Sequence, residues 1–387
     1  MLAVGLMSGT SLDGIDAALV DIEPRNGGYA VLARATRTQP FAPEFAARLR
    51  AAVAPGIPTP SEVASLDVEL GALFGDAVRN VAGEAQLDFI ASHGLTLFHD
   101  GDRHITWQIG DPFVIRERSA ATVLFDFRRG DCAAGGHGAP LVPFADALLF
   151  ASPQTFRVAL NLGGIANLTL LPPGASTMDV LAWDVGPANM LLDGFVRRRT
   201  AGAQTCDRDG RFAAAGTVDR GVLEILLSDA YFAQPAPKST GRERFGEAFL
   251  GTLSRALDGL SVEDGCATLV ALTAQTVAAA IQPHARSGEV VVSGGGVHNP
   301  ALLHALRERL PDFGILSSER LGVDPDFKEA IAFAVLGYEL LRGRPAGLPR
   351  VTGAGRAALL GAIAPLRLDA LLDRLREELD AHAGHRT

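Results

Sequence analysis

Residues 5–16 read GLMSGTSLDGID, a run of Gly, Ser, Thr and Asp with an apolar segment on either side. LAVGLM leads into this run and IDAALVDI completes it. Apolar and β-branched residues around a turn-rich centre predict a β-hairpin. The pattern returns at 156–171, where FRVALNL, GGIAN and LTLL follow one another. The sequence therefore predicts the same hairpin twice.

A third glycine turn, VVVSGGGVHNP at 290–300, has a different setting. It follows a predicted strand and precedes the helical pattern ALLHALRERL, with Asn299 and Pro300 placed as helix starters. Strands such as LDFIAS and EVVVSG alternate with helical segments, which predicts layered α/β structure. The helical periodicity falls at 62–85, 244–258, 267–284, 328–342 and 368–382.

The length of 387 residues predicts about two domains. We place the boundary near 150, where LLFASPQTF separates a segment rich in Pro and Gly from the second hairpin. The expected domains are 1–150 and 151–364, with a last helix at about 365–387 that packs back on the first domain.

The charge balance narrows the possible partners. A net charge of -9 and a pI near 5.5 argue against nucleic acid and anionic membranes, which attract a basic face. Three scattered cysteines fit neither a disulfide framework nor a zinc site and favour a reducing cytoplasm. The N-terminus lacks the basic region and long apolar core of a signal peptide. We expect a cytoplasmic protein with a small-molecule substrate.

The two hairpin turns can act as a clamp for phosphates, because glycine lets backbone N–H groups approach a ligand closely. Ser8–Ser11 would supply amides and hydroxyls in the first turn, and Gly163, Gly164 and Asn167 in the second. Taken singly, each turn is explained as a tight hairpin turn, whereas the two turns together with the third glycine loop favour nucleotide binding. Neither turn is a Walker A loop, since no GK[ST] follows.

Asp184 in LAWDVGPANMLLDGF is the best catalytic candidate. A carboxylate at the end of an apolar strand can act as a general base toward a hydroxyl or water. The alternative is that Asp184 caps the following helix. Asp193, nine residues later, is expected to be structural.

Arginine, histidine and glycine converge in DFRRGDCAAGGHGAPLVP at 126–143. Arg128, Arg129 and His137 suit a loop that grips an anionic ligand, and the alternative is a solvated connection. Glu329 begins a predicted helix and either points into a cleft or serves the helix dipole.

Two histidines of ASHGLTLFH, His93 and His99, come near the end of one predicted strand. Their spacing matches no zinc pattern, so we do not expect a metal site there.

Together these motifs resemble the anhydro-N-acetylmuramic acid kinases, members of the sugar kinase, Hsp70 and actin superfamily. The resemblance covers nearly the whole chain and implies a two-domain actin-like ATPase (ribonuclease H-like) α/β fold with an interdomain cleft. The segments that carry it are GLMSGTSLDGID, ASHG, FRRGDCAAGGHGAPLVP, NLGGIANLTLL, WDVGPANMLLD, PKSTGRE, SGGGVHNP, KEAIAFA and LPRVTGA.

The resemblance implies phosphorylation of 1,6-anhydro-N-acetylmuramic acid at O6 by ATP and Mg²⁺, with hydrolytic opening of the anhydro ring. The product would be N-acetylmuramic acid 6-phosphate, used in murein recycling, and the protein would form a homodimer. Asp184 would take the proton from the attacking water. The sugar would meet Arg128, Arg129, His137 and Glu329. ATP would meet Gly9, Thr10, Ser11, Leu12, Asp13, Gly14, Gly163, Gly164, Gly294, Gly295, Gly296 and Asn299. Because Met7 stands where the superfamily usually has Asp, Asp13 or Asp16 would support the metal instead, and we name Asp13 as the candidate.

Several positions depart from the family pattern. Leu95 and His137 stand where we expect Gln, Val185 and Ala188 replace Thr and Gly, and Met7 stands where the superfamily usually has Asp. Leu95 and His137 fall in segments expected to shape the sugar site. Two alternatives therefore remain, a kinase of another amino sugar and a non-enzymatic ATP-binding switch on the same scaffold.

Overall fold

The computed structural model describes the chain apart from residues 10, 26–27, 54–57, 253 and 384–387. Its strands form two separate sheets. The strands are β1 (Leu2–Ser8), β2 (Gly14–Arg25), β3 (Gly28–Pro40), β4 (Phe89–Asp100), β5 (Ile105–Ile109), β6 (Thr122–Phe125), β7 (Arg157–Leu162), β8 (Ile165–Leu171), β9 (Leu181–Pro187), β10 (Gly288–Ser293), β11 (Phe313–Ser317) and β12 (Ala362–Ala364).

The helices range from single turns to long core helices. They are α1 (Pro43–Val53), α2 (Pro60–Ala82), α3 (Pro112–Ser119), α4 (Phe127–Ala133), α5 (Val142–Phe150), α6 (Asn189–Arg199), α7 (Arg211–Ala215), α8 (Arg220–Leu227), α9 (Arg242–Phe245), α10 (Glu247–Thr252), α11 (Ser254–Leu257), α12 (Val262–Ile281), α13 (Pro300–Arg309), α14 (Lys328–Leu341), α15 (Pro349–Thr352) and α16 (Leu368–Ala383).

The local predictions are largely confirmed. The two hairpins are the antiparallel pairs β1–β2 and β7–β8. The third motif is strand β10 followed by α13, whose N-cap is Asn299. The helices predicted at 62–85, 267–284, 328–342 and 368–382 are confirmed, while 244–258 is broken into the short helices α9, α10 and α11.

Both sheets have the same strand order and directions. The first runs β3-β2-β1-β4-β6, with β12 beyond β6 and β5 beside β4, and the second runs β9-β8-β7-β10-β11. In each, an antiparallel three-stranded meander is followed by two strands parallel to its first strand. This duplicated arrangement is the ribonuclease H-like topology, so the predicted actin-like α/β fold class is confirmed.

The chain divides into two compact units that differ from the expected domains. One comprises residues 1–145 and 327–387, and the other 146–326. The second boundary thus lies at 326 rather than 364, because helix α14 packs on β1 of the first sheet. Gly5 makes this contact possible, since a Cβ there would lie 1.8 Å from the carbonyl oxygen of Ala330.

Helix α12 is the central helix of the second unit. It has the length and apolar composition of a membrane-spanning helix, yet 78% of its apolar window is buried within the fold. Gly265 lets it approach α6 closely, because a Cβ there would lie 2.1 Å from the ring of Phe195. Its apolar surface serves as core for the sheet and helices around it.

The close contact at Gly5 predicts that a larger side chain at this position lowers the stability of the protein. Gly5→Ala should lower the free energy of unfolding by about 1–3 kcal/mol, because its methyl group must displace α14 from β1. Urea denaturation measures the change. Gly28→Ala is the control, since a Cβ at Gly28 meets nothing within 4 Å. Equal stability of the two variants would contradict the close contact.

Candidate active site

The second glycine turn is joined to the start of helix α6. The amide of Asn189 donates to the carbonyl of Gly163 at 3.1 Å, and those of Ala188 and Met190 donate to Gly164, each at 3.0 Å. These bonds satisfy backbone donors that a helix start leaves without intrahelical partners. The second glycine turn is therefore fixed against the first turn of α6, with its two carbonyl groups directed to the helix start.

The third glycine loop lies directly against strand β7 of the same unit. Gly294 has φ +80°, and a Cβ there would lie 2.6 Å from the side-chain oxygen of Asn161. A Cβ at Gly296 would lie 2.5 Å from the Cβ of Leu162. Glycine at these positions thus places the second and third loops side by side, as a nucleotide-binding arrangement requires.

Asn299 is buried and caps α13, because its side-chain oxygen accepts from the amide of Leu302 at 3.1 Å. Its predicted role as a helix starter is confirmed. The contact of Asn299 with a nucleotide stays a prediction.

Four polar residues form a row across the second sheet beside these loops. Ser293 pairs with Asn161, Asn161 with Asn167, and Asn167 with Asp184. Directly paired residues of adjacent strands project on the same face of a sheet. The predicted base, Asp184, thus lies on the same face of the sheet as Asn161 and Asn167, which belong to the hairpin that carries the second glycine turn. Asn161 was missed by the sequence prediction because its partners lie on other strands.

The carboxylate of Asp184 is held by the PKSTGRE segment. Its Oδ2 accepts from the hydroxyl of Ser239 and from the amide of Thr240, both at 2.9 Å. The backbone amide of Asp184 in turn donates to the carbonyl of Lys238 at 3.1 Å. Asp184 lies within β9 and the N-cap of α6 is Ala188, so the helix-cap alternative is wrong. Donors at one oxygen fix the orientation of the carboxylate.

Tyr231 and Lys238 support this segment. The Tyr231 hydroxyl donates to the carbonyl of Asp184 at 2.7 Å, and the Lys238 ammonium donates to the carbonyl of Tyr231 at 2.9 Å. That ammonium also lies 4.5 Å from the centre of the Tyr231 ring, and burial lowers the pKa of Lys238. The basic PKSTGRE segment thus holds Asp184 in place, a contact between residues that lie far apart in the chain.

The first glycine turn is closed by its own polar groups. The hydroxyl of Ser8 donates to the carbonyl of Gly14 at 2.8 Å, and the amide of Leu12 donates to Gly9 at 3.2 Å. Leu12 has φ +56° and buries its side chain in the core of the first unit. These contacts shape the turn; Thr10 lies outside the described residues.

Asp13, the predicted metal ligand, accepts from the hydroxyl of Ser11 at 2.6 Å. Among the residues that the structure describes, no group of three or more His, Cys, Asp and Glu side chains is close enough to hold a metal ion. Mg²⁺ at nucleotide sites is bound mainly by phosphates and water with one or two carboxylates, so a single Asp suits it.

The two adjacent arginines of helix α4 point in different directions. Arg129 is exposed and pairs with Asp126. The Nη1 of Arg128 donates to the carbonyl of Gly138 at 2.9 Å. Burial lowers the pKa of Arg128, and the negative charge of Glu329, in the first turn of α14, opposes that shift. Of the predicted sugar-binding residues, Arg128 and Glu329 thus share an electrostatic environment.

The loop that carries His137 is anchored in the protein interior. Asp131 is fully buried; its Oδ2 accepts from the amide of Gly138 and its Oδ1 from the hydroxyl of Thr352, both at 2.8 Å. The amide of His137 donates to the carbonyl of Thr352 at 2.8 Å. The His137 ring stacks on that of His104 with 6.3 Å between centroids. The backbone of this segment is thus anchored while the His137 side chain is exposed, and its contact with a ligand stays a prediction.

The structure thus brings the predicted residues together in two groups. The second unit holds Asp184 with the second and third glycine loops. The first unit holds the first glycine turn and the Arg128 to His137 segment, with Glu329. Leu95, expected to shape the sugar site, is only 1% exposed and packs in the core of the first unit, so its departure from Gln is a core substitution.

Comparison with known proteins agrees with this geometry. A family model described as anhydro-N-acetylmuramic acid kinase matches residues 1–366. The chain belongs to the anhydro-N-acetylmuramic acid kinase family. It is 46% identical to the anhydro-N-acetylmuramic acid kinase of Xanthomonas campestris pv. campestris strain 8004, over 94% of this chain and 97% of the relative. The Streptomyces coelicolor kinase of that name is 43% identical over 95% and 94%.

Membership of the anhydro-N-acetylmuramic acid kinase family makes this chain a kinase. Among solved structures, the chain is similar to the activator of the 2-hydroxyisocaproyl-CoA dehydratase from Clostridium difficile with bound ADPNP. That match has a TM-score of 0.44 and 14% identity, over 97% of this chain and 98% of the other.

The buried contact between Asp131 and Thr352 predicts a stability change. Thr352→Val keeps the shape but leaves Oδ1 of Asp131 without this donor, which should lower the free energy of unfolding by about 1–3 kcal/mol. Chemical denaturation measures it, with Thr217→Val at an exposed position as the control. Unchanged stability in Thr352→Val would show that this hydrogen bond does not hold the loop.

Proposed function

We propose that this protein transfers the γ-phosphoryl group of ATP to O6 of 1,6-anhydro-N-acetylmuramic acid while water opens the anhydro ring. The products are N-acetylmuramic acid 6-phosphate and ADP, and the reaction serves murein recycling in the cytoplasm. The observation that carries the proposal is the fixed carboxylate of Asp184, beside two glycine loops, in a chain of this kinase family.

In the proposed reaction one carboxylate drives two bond changes. Asp184 takes a proton from water as the water oxygen forms a bond to the anomeric carbon, and the bond from that carbon to O6 breaks. The electron pair left on O6 attacks the γ-phosphorus, whose bond to the bridging oxygen breaks to release ADP. Ser239 and Thr240 hold the carboxylate in one orientation, which favours transfer of the water proton to a defined oxygen.

Phosphoryl transfer depends mainly on alignment and on neutralisation of negative charge. In the second unit, we assign phosphate oxygens to the turn at Gly163 and Gly164, because glycine lets a ligand approach the backbone closely. The loop Gly294–Gly296 lies against the same hairpin and suits the nucleoside end of ATP. These features support ATP as the phosphoryl donor.

We assign the metal to the first glycine turn. Mg²⁺ would enter with ATP, with Asp13 as its protein carboxylate; when bound, the ion neutralises charge on the β- and γ-phosphates.

The first unit supplies the groups that suit the sugar. Arg128 is a fixed cation, Glu329 is an acceptor nearby, and His137 is held by its own backbone and by His104. A cation fixed in this way suits an acidic sugar, since arginine binds carboxylates with directed hydrogen bonds. Arg129 is paired with Asp126 at the surface, so we favour Arg128 over Arg129 as the arginine that binds the sugar.

The source of the new sugar oxygen tests the proposal. The purified protein is incubated with ATP, Mg²⁺ and 1,6-anhydro-N-acetylmuramic acid in water enriched in oxygen-18, and the product is weighed by mass spectrometry. We expect a phosphorylated sugar that carries one solvent oxygen. Phosphorylation without solvent oxygen would indicate an ordinary amino-sugar kinase. Nucleotide binding without turnover of any sugar would indicate a switch protein.

Asp184→Asn tests the base. The variant keeps the size of the side chain but cannot accept the water proton, so kcat should fall by roughly 10²–10⁴-fold while both substrates still bind. Asp193→Asn on α6 is the matched control and should keep full activity. Burial raises the pKa of Asp193 to about 6, so a neutral amide is compatible with its place. Turnover retained by Asp184→Asn would refute the assigned base.

A further inference from the structure

His93 is a buried histidine that the proposed reaction leaves without a role. It lies in β4 and is 3% exposed. Its Nδ1 lies 2.9 Å from the carbonyl oxygen of Gly94, and its Nε2 lies 2.8 Å from the Nε of Arg128. Its ring packs against that of Phe333 in α14, with 4.6 Å between centroids.

The two partners of His93 allow one tautomer only. A guanidinium group donates hydrogen bonds and cannot accept them, so Nε2 must carry a lone pair. The carbonyl of Gly94 can only accept, so Nδ1 must carry the proton. The ring is therefore neutral and protonated at Nδ1. The pKa of His93 lies well below its usual range. Burial is the main cause, and the positive charge of Arg128 is the next.

His93 and Gly138 together fix the plane of the Arg128 guanidinium. His93 accepts at Nε and the carbonyl of Gly138 accepts at Nη1. Two acceptors at different nitrogens of a planar group define its orientation. Both acceptors are neutral, so neither cancels the positive charge, as a carboxylate in the place of His93 would. The guanidinium is thus oriented by neutral groups, and the carboxylates that act on its charge are those of Glu329 and Asp131.

We propose that His93 is a positioning residue, whose neutral imidazole orients Arg128 for the anionic sugar without neutralising it. The proposal rests on the proposed function for the identity of the ligand, but the tautomer and the hydrogen bond are properties of the free protein. A carboxylate-bearing sugar gains most from this arrangement, because the orientation of Arg128 is set before binding.

Two variants of His93 separate the acceptor from the volume of the ring. His93→Gln places a neutral acceptor near the position of Nε2, while His93→Leu is apolar and accepts nothing. In His93→Leu the KM for the sugar should rise roughly tenfold or more, as expected for a lost hydrogen bond to a charged group. His93→Gln should stay within about threefold of the parent, and the KM for ATP should not change in either. Equal effects of the two variants, or an unchanged sugar KM in His93→Leu, would overturn the proposal.

Nuclear magnetic resonance tests the hydrogen bond without any turnover. In protein labelled with nitrogen-15 at histidine, the His93 signals, assigned by their loss in His93→Gln, should show a proton on Nδ1 and none on Nε2 from about pH 5 to 8. The charged and titratable neighbours that act on His93 are Arg128 and His99, and exposed His304 gives the reference signal. A proton on Nε2 would overturn the proposal. Absence of sugar phosphorylation with the expected tautomer would count against the proposed function alone.

Discussion

Helix α6 begins on the carbonyl groups of the second glycine turn, and the second unit is organised around that junction. The bonds from Ala188, Asn189 and Met190 to Gly163 and Gly164 tie the first hairpin of the sheet to the strand that ends just before the helix. Because β9 enters this junction, the position of Asp184 along the strand is set by the pairing with β8. The base, the helix N-terminus and the turn therefore form one rigid piece.

In the first unit, side chains hold a glycine-rich loop in place. The loop at residues 135–138 has several glycines, which by themselves leave a chain free to adopt many conformations. Asp131 accepts from the amide of Gly138 and Arg128 donates to its carbonyl, while Thr352 bonds to Asp131 and, through its own carbonyl, to the amide of His137. The loop therefore owes its order to polar contacts in the interior.

Local features were predicted from the sequence and distant contacts were not. The two hairpins, the Asn299 cap and the candidacy of Asp184 depend on residues close together in the chain. The grip of Ser239 on Asp184 spans 55 residues. The hydrogen bond between Arg128 and His93 spans 35 residues. No sequence pattern within either segment predicts these contacts. The boundary at 326 was missed for the same reason, since it follows from the packing of α14 on strand β1, which lies far away in the sequence.

The shared strand order of the two sheets gives each main strand of one unit a counterpart in the other. Strands β4 and β10 are such counterparts, since each lies parallel to the first strand of its meander. Just after β10, Gly294 has no side chain and lets two backbones meet. Within β4, His93 carries an imidazole that reaches an arginine. The two counterpart strands thus serve different ends, main-chain contact in one sheet and control of a side chain in the other.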